Sequence, residues 1–378
     1  MLPPASAFVP AFDLSNAIVA VLTASDIALA FFLIFRARAG RIDLARIARA
    51  AAVVGLFAAA KMVGARLYGH SFFLVVHLVY ADVMVLLPLV GIALLRARPR
   101  AATLVRALAW TSLVLVPIAI DATLIEPYRL VTERTSVPVS RARAGKRPIT
   151  IAVLADIQCM FVGDREREAV RRVMDARPDL IVLPGDLVQV GTHRLPEILD
   201  DFHALLAPLD APLGVYFVQG NCETKEDARR LLAGTRVRFL DDEVVERTLG
   251  DRRVSVCGVD LAFSSPRARE ALHAIESAPG DDVRIVLAHR PDVIDALPSG
   301  SRVDLIVCGH THGGQVLIPF FGPPITLSDV PRSIAAGGLH VLDGKTIYVS
   351  RGIGWEHGHA PRVRFLCPPE VSVLTLGD

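Results

Sequence analysis

Five short apolar runs in the C-terminal two thirds of the chain each end in a polar residue. The runs "ITIAVLAD" and "PDLIVLPGD" are typical of buried strands, and "REREAVRRVMDAR" between them has helical periodicity. Strand, helix and strand predict a βαβ unit. We therefore predict a fold class of α+β or α/β, in which the carboxyl ends of the strands form the edge where ligands bind. The residues that follow the five runs are Asp156, Asp186, Asn221, His289, and His310 with His312.

Taken together, these polar residues form a set of potential metal ligands. One carboxylate after one strand is usually a helix cap or a turn residue. The two histidines of "LIVCGHTHGGQVLIP", Leu305–Pro319, could by themselves be surface residues of a turn. Carboxylate, amide and imidazole groups delivered to one edge instead suit divalent transition metals.

The order D-x-(H), G-D, G-N-(H)-(D/E), a strand ending in His, and "GHTHGGQ" resembles the calcineurin-like metallophosphoesterase superfamily over about residues 149–376. The later "RGIGWEHGHAPRVRFLCPPEVSVLTL" is similar to its bacterial membrane-anchored branch. The resemblance implies an αββα sandwich and a phosphoric ester hydrolase. It also implies two divalent metal ions (Mn, Fe, Zn or Mg) and a metal-bridging hydroxide as nucleophile.

The resemblance also assigns roles to individual residues. Asp186 would be shared by both metals and, with His289 and Cys222, would belong to the catalytic group. The first metal would be held by Asp156, Gln158, Asp186 and His312, and the second by Asp186, Asn221, His289 and His310.

Two of these positions depart from the family pattern. Gln158 stands where a metal-binding histidine is expected, and its amide is a weaker donor to zinc or iron than imidazole. Cys222 stands where many members have a histidine that protonates the leaving group, and a thiol could also donate. One interpretation is an active enzyme with altered metal preference and an easy leaving group, as in a pyrophosphate or activated diester. The alternative is a catalytically impaired binding or scaffold protein.

Further candidates for the site have simpler alternatives. His357 and His359 could supply an acid or contact substrate, or could lie on a solvent-facing loop. Arg290 could bind a phosphate oxygen, or be a surface residue. Glu223 is a candidate acid, or a cap for the helix that begins near Thr224.

The first third of the chain is far more apolar than the rest, and the mean hydropathy of the whole is +0.44. Four runs approach the length that a helix needs to cross a bilayer, and the second carries Lys61 and Arg66 near one end. We therefore predict an anchor over 1–125, a linker or outer strand over 126–148, and the phosphoesterase domain over 149–378. The four runs are Leu14–Phe35, Ala50–Leu67, Ser71–Leu95 and Leu104–Ala122.

Arginines predict the orientation, because positively charged loops stay in the cytoplasm. They cluster after the first and third spans, which places both termini and the C-terminal domain outside the cytoplasm, provided that the second span crosses. The arginines are Arg36, Arg38, Arg41, Arg46 and Arg49, then Arg96, Arg98, Arg100 and Arg106.

Asp26, His77 and Asp82 lie inside the predicted spans, where an ionisable group is a candidate functional residue. A sensor or transporter centred on the helices is thus a further alternative. The competing interpretation is an interhelical polar pair with Lys61 that serves packing.

The expected partners are a phosphoester substrate, either lipid-linked or soluble, and membrane lipids. A net charge of +2 gives no reason to expect nucleic acid. The five cysteines form no CxxC motif and indicate neither a disulfide framework nor a zinc ribbon.

Overall fold

The computed structural model describes residues 14–37, 44–67, 72–96, 103–139 and 147–377. The chain forms two compact units. One consists of Met1–Ile125 with Glu356–Arg362, and the other of Glu126–Trp355 with Val363–Asp378.

The described part of the chain includes four helices that are long and apolar enough to cross a membrane, as predicted. Ser71, Arg38, Arg41, Arg98 and Arg100 lie outside the described residues, and the orientation remains a prediction. The candidate spans are Asn16–Phe35, Ala48–Leu67, Phe72–Arg96 and Thr103–Tyr128. The helical segments are Leu14–Ala37, Leu44–Leu67, Phe72–Ala81, Leu87–Arg96, Thr103–Ser112 and Leu115–Ile120, with π-helical turns at Asp82–Leu86 and Asp121–Ile125.

Polar contacts join these helices. Asp26 is fully buried, and the ammonium of Lys61 donates to its carboxylate and, at 2.7 Å, to the carbonyl oxygen of Leu22. This contact is the interhelical pair that the packing interpretation expects for Asp26. In the same unit, Nδ1 of His77 lies 3.2 Å from the carbonyl oxygen of His359.

The second unit is built on two six-stranded mixed sheets. The strands are β1 (Val131–Val137), β2 (Ile149–Val153), β3 (Leu180–Leu183), β4 (Val215–Phe217), β5 (Val237–Phe239), β6 (Glu243–Leu249), β7 (Arg252–Val259), β8 (Val283–Ala288), β9 (Leu305–Cys308), β10 (Gly338–Leu342), β11 (Lys345–Val349) and β12 (Glu370–Leu376). In the first sheet the order is β1-β12-β2-β3-β4-β5, and in the second it is β10-β11-β9-β8-β7-β6.

Successive side chains of each strand point to opposite faces of its sheet, and this alternation produces the layers of the domain. Ile151 and Val153 of β2 face a core shared with the second sheet, whereas Ala152 faces helices on the other side. Helices also cover the outer face of the second sheet. The arrangement is the αββα sandwich that the resemblance implies. The helices are Asp164–Asp175, Leu199–Leu206, Lys225–Leu232, Pro266–Glu276 and Arg332–Ala335.

Residues 126–148, for which a linker or an outer strand was expected, contain an edge strand. β1 pairs in parallel with β12, from Val131 opposite Glu370 to Val137 opposite Leu376. Most of its side chains are only partly buried, because an edge strand has a neighbour on one side only.

Candidate metal centre

The carboxyl ends of β2, β3, β4, β8 and β9 deliver the candidate ligands, as the strand pattern predicts. The chain reverses sharply after these strands, and most of the ligands adopt left-handed backbone conformations. Glycine is required opposite them: a Cβ on Gly309 would lie 2.5 Å from a carboxylate oxygen of Asp156. The left-handed residues are Asp156 (φ +45°), Gln158 (φ +43°), Asp186 (φ +51°), His310 (φ +71°) and His312 (φ +49°).

Two buried carboxylates and one imidazole form the centre of the site. Ligand atoms of Asp156, Asp186 and His289 all lie within 4.8 Å of one another. The backbone N–H of His310 donates to both carboxylate oxygens of Asp156, at 3.0 and 3.1 Å. Burial raises the pKa of Asp156 well above its ordinary value, and the Asp186 carboxylate adds to the rise. A divalent cation between the two carboxylates would remove that repulsion.

The rings of His289 and His310 bring one nitrogen each to the same place in the site. Nδ1 of His289 lies 2.8 Å from the carbonyl oxygen of Pro184, and Nε2 of His310 lies 3.1 Å from that of Leu327. A carbonyl oxygen only accepts, so we assign the ring proton to these two nitrogens. The other two ring nitrogens, Nε2 of His289 and Nδ1 of His310, are 3.1 Å apart.

Two further acceptors face Nε2 of His289. Oδ1 of Asn221 is 2.9 Å away and Oδ2 of Asp186 is 3.6 Å away. Burial, followed by the effect of His289, lowers the pKa of His310 to about 4, so the His310 ring is neutral near pH 7. A cluster of acceptor atoms fits a bound cation, and a histidine that donates its other N–H to a backbone carbonyl is typical of a metal ligand.

The surroundings of His312 also fit a bound cation. It is 4% exposed, and neither ring nitrogen makes a hydrogen bond of regular geometry. Burial, with the nearby Arg364 as the next cause, lowers its pKa well below the ordinary value. A buried neutral imidazole whose ring nitrogens make no hydrogen bond of regular geometry is costly unless something else binds it, and a metal ion would do so.

The two departures from the family pattern are in contact with each other. Nε2 of Gln158 donates to Sγ of Cys222 at 3.1 Å, and that thiol lies 3.3 Å from Oδ2 of Asp186. The backbone N–H of Cys222 also donates to Oδ1 of Asp186 at 2.9 Å. The amide and the thiol thus occupy the place beside Asp186 where the pattern has two histidines.

Glu223 is not the cap of the following helix, because Thr224 fills that role by accepting from the N–H of Asp227. Instead, the buried Glu223 carboxyl accepts from three backbone N–H groups, those of Gly220 (2.8 Å), Asp186 (3.2 Å) and Leu187 (3.0 Å). It joins the loop after β3 to the loop after β4. Burial, followed by the Asp186 charge, raises its pKa to about 8.

Arg364 was not singled out by the sequence. Its side chain is fully buried and donates to the carbonyl oxygens of Arg351 (2.8 Å), Gly352 (3.3 Å), Gly354 (3.2 Å) and Cys367 (3.1 Å). The N–H of Gly354 in turn donates to the carbonyl oxygen of Asp156 at 2.8 Å. The signal in the sequence is no more than an arginine beside the apolar residues Phe365, Leu366 and Cys367.

The remaining candidates are less closely tied to this cluster. Arg290 pairs with Asp292 at 3.3 Å. His357 and His359 lie in Glu356–Arg362, the segment that belongs to the first compact unit. A role for these three residues in substrate binding remains a prediction.

Comparisons with known proteins agree with this geometry. Residues 149–314 match the family model described as calcineurin-like phosphoesterase. The chain is 29% identical over 239 residues to a protein of Escherichia coli named phosphodiesterase YaeI, covering 61% of this chain and 82% of that protein. It is 27% identical over 264 residues to the uncharacterized metallophosphoesterase YkuE of Bacillus subtilis, covering 67% and 87%. A transmembrane protein with metallophosphoesterase domain of Bos taurus is 29% identical over 237 residues, covering 58% of this chain and 51% of that protein.

Proposed function

We propose that this phosphoester hydrolase, whose residues 149–314 belong to the calcineurin-like phosphoesterase family, cleaves phosphodiester or pyrophosphate bonds of lipid-linked substrates while tethered to a membrane. The observation that carries the proposal is the cluster of potential metal-ligand atoms from His310, Asn221 and Asp186 within 3.6 Å of Nε2 of His289.

Divalent cations are the ligand that this donor set fits. One would be held by Asp156, Gln158, Asp186 and His312, and another by Asp186, Asn221, His289 and His310. When bound, they would neutralise phosphate oxygens and lower the pKa of water enough for hydroxide to form near neutral pH.

The chain's own residues position these groups. Backbone carbonyls of Pro184 and Leu327 hold the histidine rings in one tautomer, and Glu223 fixes the loops that carry Asp186 and Asn221. The half-buried Cys222 thiol beside Asp186 would donate a proton to the leaving group. A thiol is a weaker acid than imidazolium, which favours substrates whose leaving group needs little protonation, such as a pyrophosphate.

Tethering supports the lipid-linked part of the proposal. Four candidate spans in the same chain would keep the domain at high effective concentration near lipid substrates. The arginine distribution supports placing the domain outside the cytoplasm.

Hydrolysis of bis-p-nitrophenyl phosphate by the full chain in lipid nanodiscs, with metal content measured in parallel, tests the proposal. Asp186→Asn should lower kcat by about 10³-fold or more, because it removes the charge shared by both cations. Asp210→Asn, at an exposed site, is the matched control and should leave kcat unchanged. A wild-type protein that takes up no divalent metal would contradict the proposal.

A binding or scaffold protein is the second candidate, and the amide of Gln158 in place of imidazole favours it. This alternative predicts metal uptake without turnover in the same experiment.

A further inference from the structure

An exposed aromatic turn projects from the segment between Gln315 and Leu327. Ile318 and Gly322 form an antiparallel bridge, and the N–H of Gly322 donates to the carbonyl oxygen of Ile318 at 2.8 Å. Phe320 lies at the tip, where its side chain is 111% exposed, and Phe321 beside it is 53% exposed. We call Ile318–Gly322 the aromatic turn.

The base of the aromatic turn is held at the metal edge. Gln315 ends the short helical turn that carries His312, and the carbonyl oxygen of Leu327 accepts from His310. On one side, the N–H of Leu317 donates to the carbonyl oxygen of Phe365 at 2.9 Å, and the N–H of Phe365 donates to that of Gln315 at 2.9 Å. The tip is therefore an extension of the same loop that positions the histidines.

The chemistry of the turn fits the interfacial layer of a bilayer. Exposure of two neighbouring phenyl rings to water is unfavourable. Burial of each ring in lipid would raise the partition coefficient of the turn into the bilayer several-fold. The guanidinium of the exposed Arg332 lies 4.5 Å above the ring of Phe321, and an aromatic ring paired with a basic side chain is characteristic of membrane interfaces. The exposed Asp329 in the same segment offsets that charge, so the turn relies on apolar insertion rather than on anionic lipids. The candidate spans of the same chain make a bilayer the surface that is always available.

We propose that the aromatic turn inserts Phe320 and Phe321 into the interfacial layer of a lipid bilayer, so that the adjoining metal edge receives phosphoester headgroups. The delivery of substrate rests on the proposed hydrolase function, whereas insertion does not.

Fluorescence quenching tests insertion independently of activity. Phe320→Trp in the full chain would be reconstituted in nanodiscs of phosphatidylcholine with or without bromine on the upper acyl carbons. Val341→Trp, at a 68% exposed position on β10, is the matched control, and the wild-type signal of the two native tryptophans is subtracted. We expect the brominated lipid to quench the Phe320→Trp component at least about twofold more than the control component. Equal quenching would overturn the proposal, and so would emission that changes only when two copies share one nanodisc.

Kinetics test delivery with a pair of substrates that share a leaving group. For Phe320→Ser/Phe321→Ser we expect kcat/KM to fall about 10-fold on phosphatidyl-p-nitrophenol in the nanodiscs, with no change on soluble bis-p-nitrophenyl phosphate. Val341→Ser should change neither. Equal losses on both substrates, or no loss on the lipid substrate, would overturn delivery. Wild-type inactivity on the soluble substrate would instead refute the hydrolase function and leave the quenching result standing.

Discussion

Substitution of Glu223 should weaken the connection between the loops that hold the metal ligands. The free-energy cost depends on which carboxyl oxygen is lost. Oε1 accepts from the N–H groups of Gly220 and Asp186, whereas Oε2 accepts from that of Leu187. An unsatisfied buried N–H costs about 1–3 kcal/mol. Glu223→Gln can keep its oxygen at the Oε1 position and orphan one N–H, for a cost of about 1–3 kcal/mol. Glu223→Ala orphans all three, and with partial relaxation we expect about 3–5 kcal/mol.

Hydrogen exchange of the full chain in nanodiscs measures this cost locally. The amides of Gly220, Asp186 and Leu187 should lose protection in Glu223→Ala, and chiefly that of Leu187 in Glu223→Gln. Glu226→Ala, at an exposed position on the next helix, is the control. Equal loss of protection in the glutamine and alanine variants would refute the reasoning, as would protection no different from the control.

Three further outcomes follow from the contacts of the site. Gln158→His and Cys222→His should be non-additive in metal affinity by about 0.5–3 kcal/mol, because the two side chains touch, and calorimetric titration of the single and double variants measures the coupling. N-ethylmaleimide at pH 7.5 should label Cys222 before the other four cysteines, which are buried and whose thiol pKa values burial raises; divalent metal should slow the labelling, and mass spectrometry identifies the site. Arg364→Met should lower the free energy of unfolding by about 3–5 kcal/mol, because it strips a buried cation from four carbonyl oxygens, whereas the exposed Arg236→Met should change it by less than about 0.5 kcal/mol in denaturant titration.

The local sequence pattern predicted the strands that their own residues specify. The run ending at Asp156 is apolar because β2 is covered on both faces, and the polar residue follows because the strand ends there. The same logic located Asp186 and His310. In β1, by contrast, the residues are largely polar, and only the partner strand β12, more than 200 residues later, makes "VTERTSV" a strand.

The supporting roles of Glu223 and Arg364 could not be predicted in the same way. Glu223 and Arg364 act on backbone groups, and a backbone N–H or carbonyl leaves no trace in the order of side chains. Their roles depend on which loops lie beside them, which is a property of the assembled sheets. The contact between Gln158 and Cys222 is of the same kind, since nothing in two separate motifs states that their unusual residues are neighbours.

The left-handed backbone at the metal edge has a consequence for how this protein can change over generations. The left-handed conformation costs a non-glycine residue about 1–2 kcal/mol of conformational free energy, whereas glycine adopts it at no steric penalty. This cost applies to Asp156, Gln158, Asp186, His310 and His312. A population selected for thermal endurance alone should therefore acquire glycine at these positions well before its strands change. Substitutions to glycine at these positions should raise stability and abolish activity. A mutational scan that scores stability and activity separately would detect this opposition.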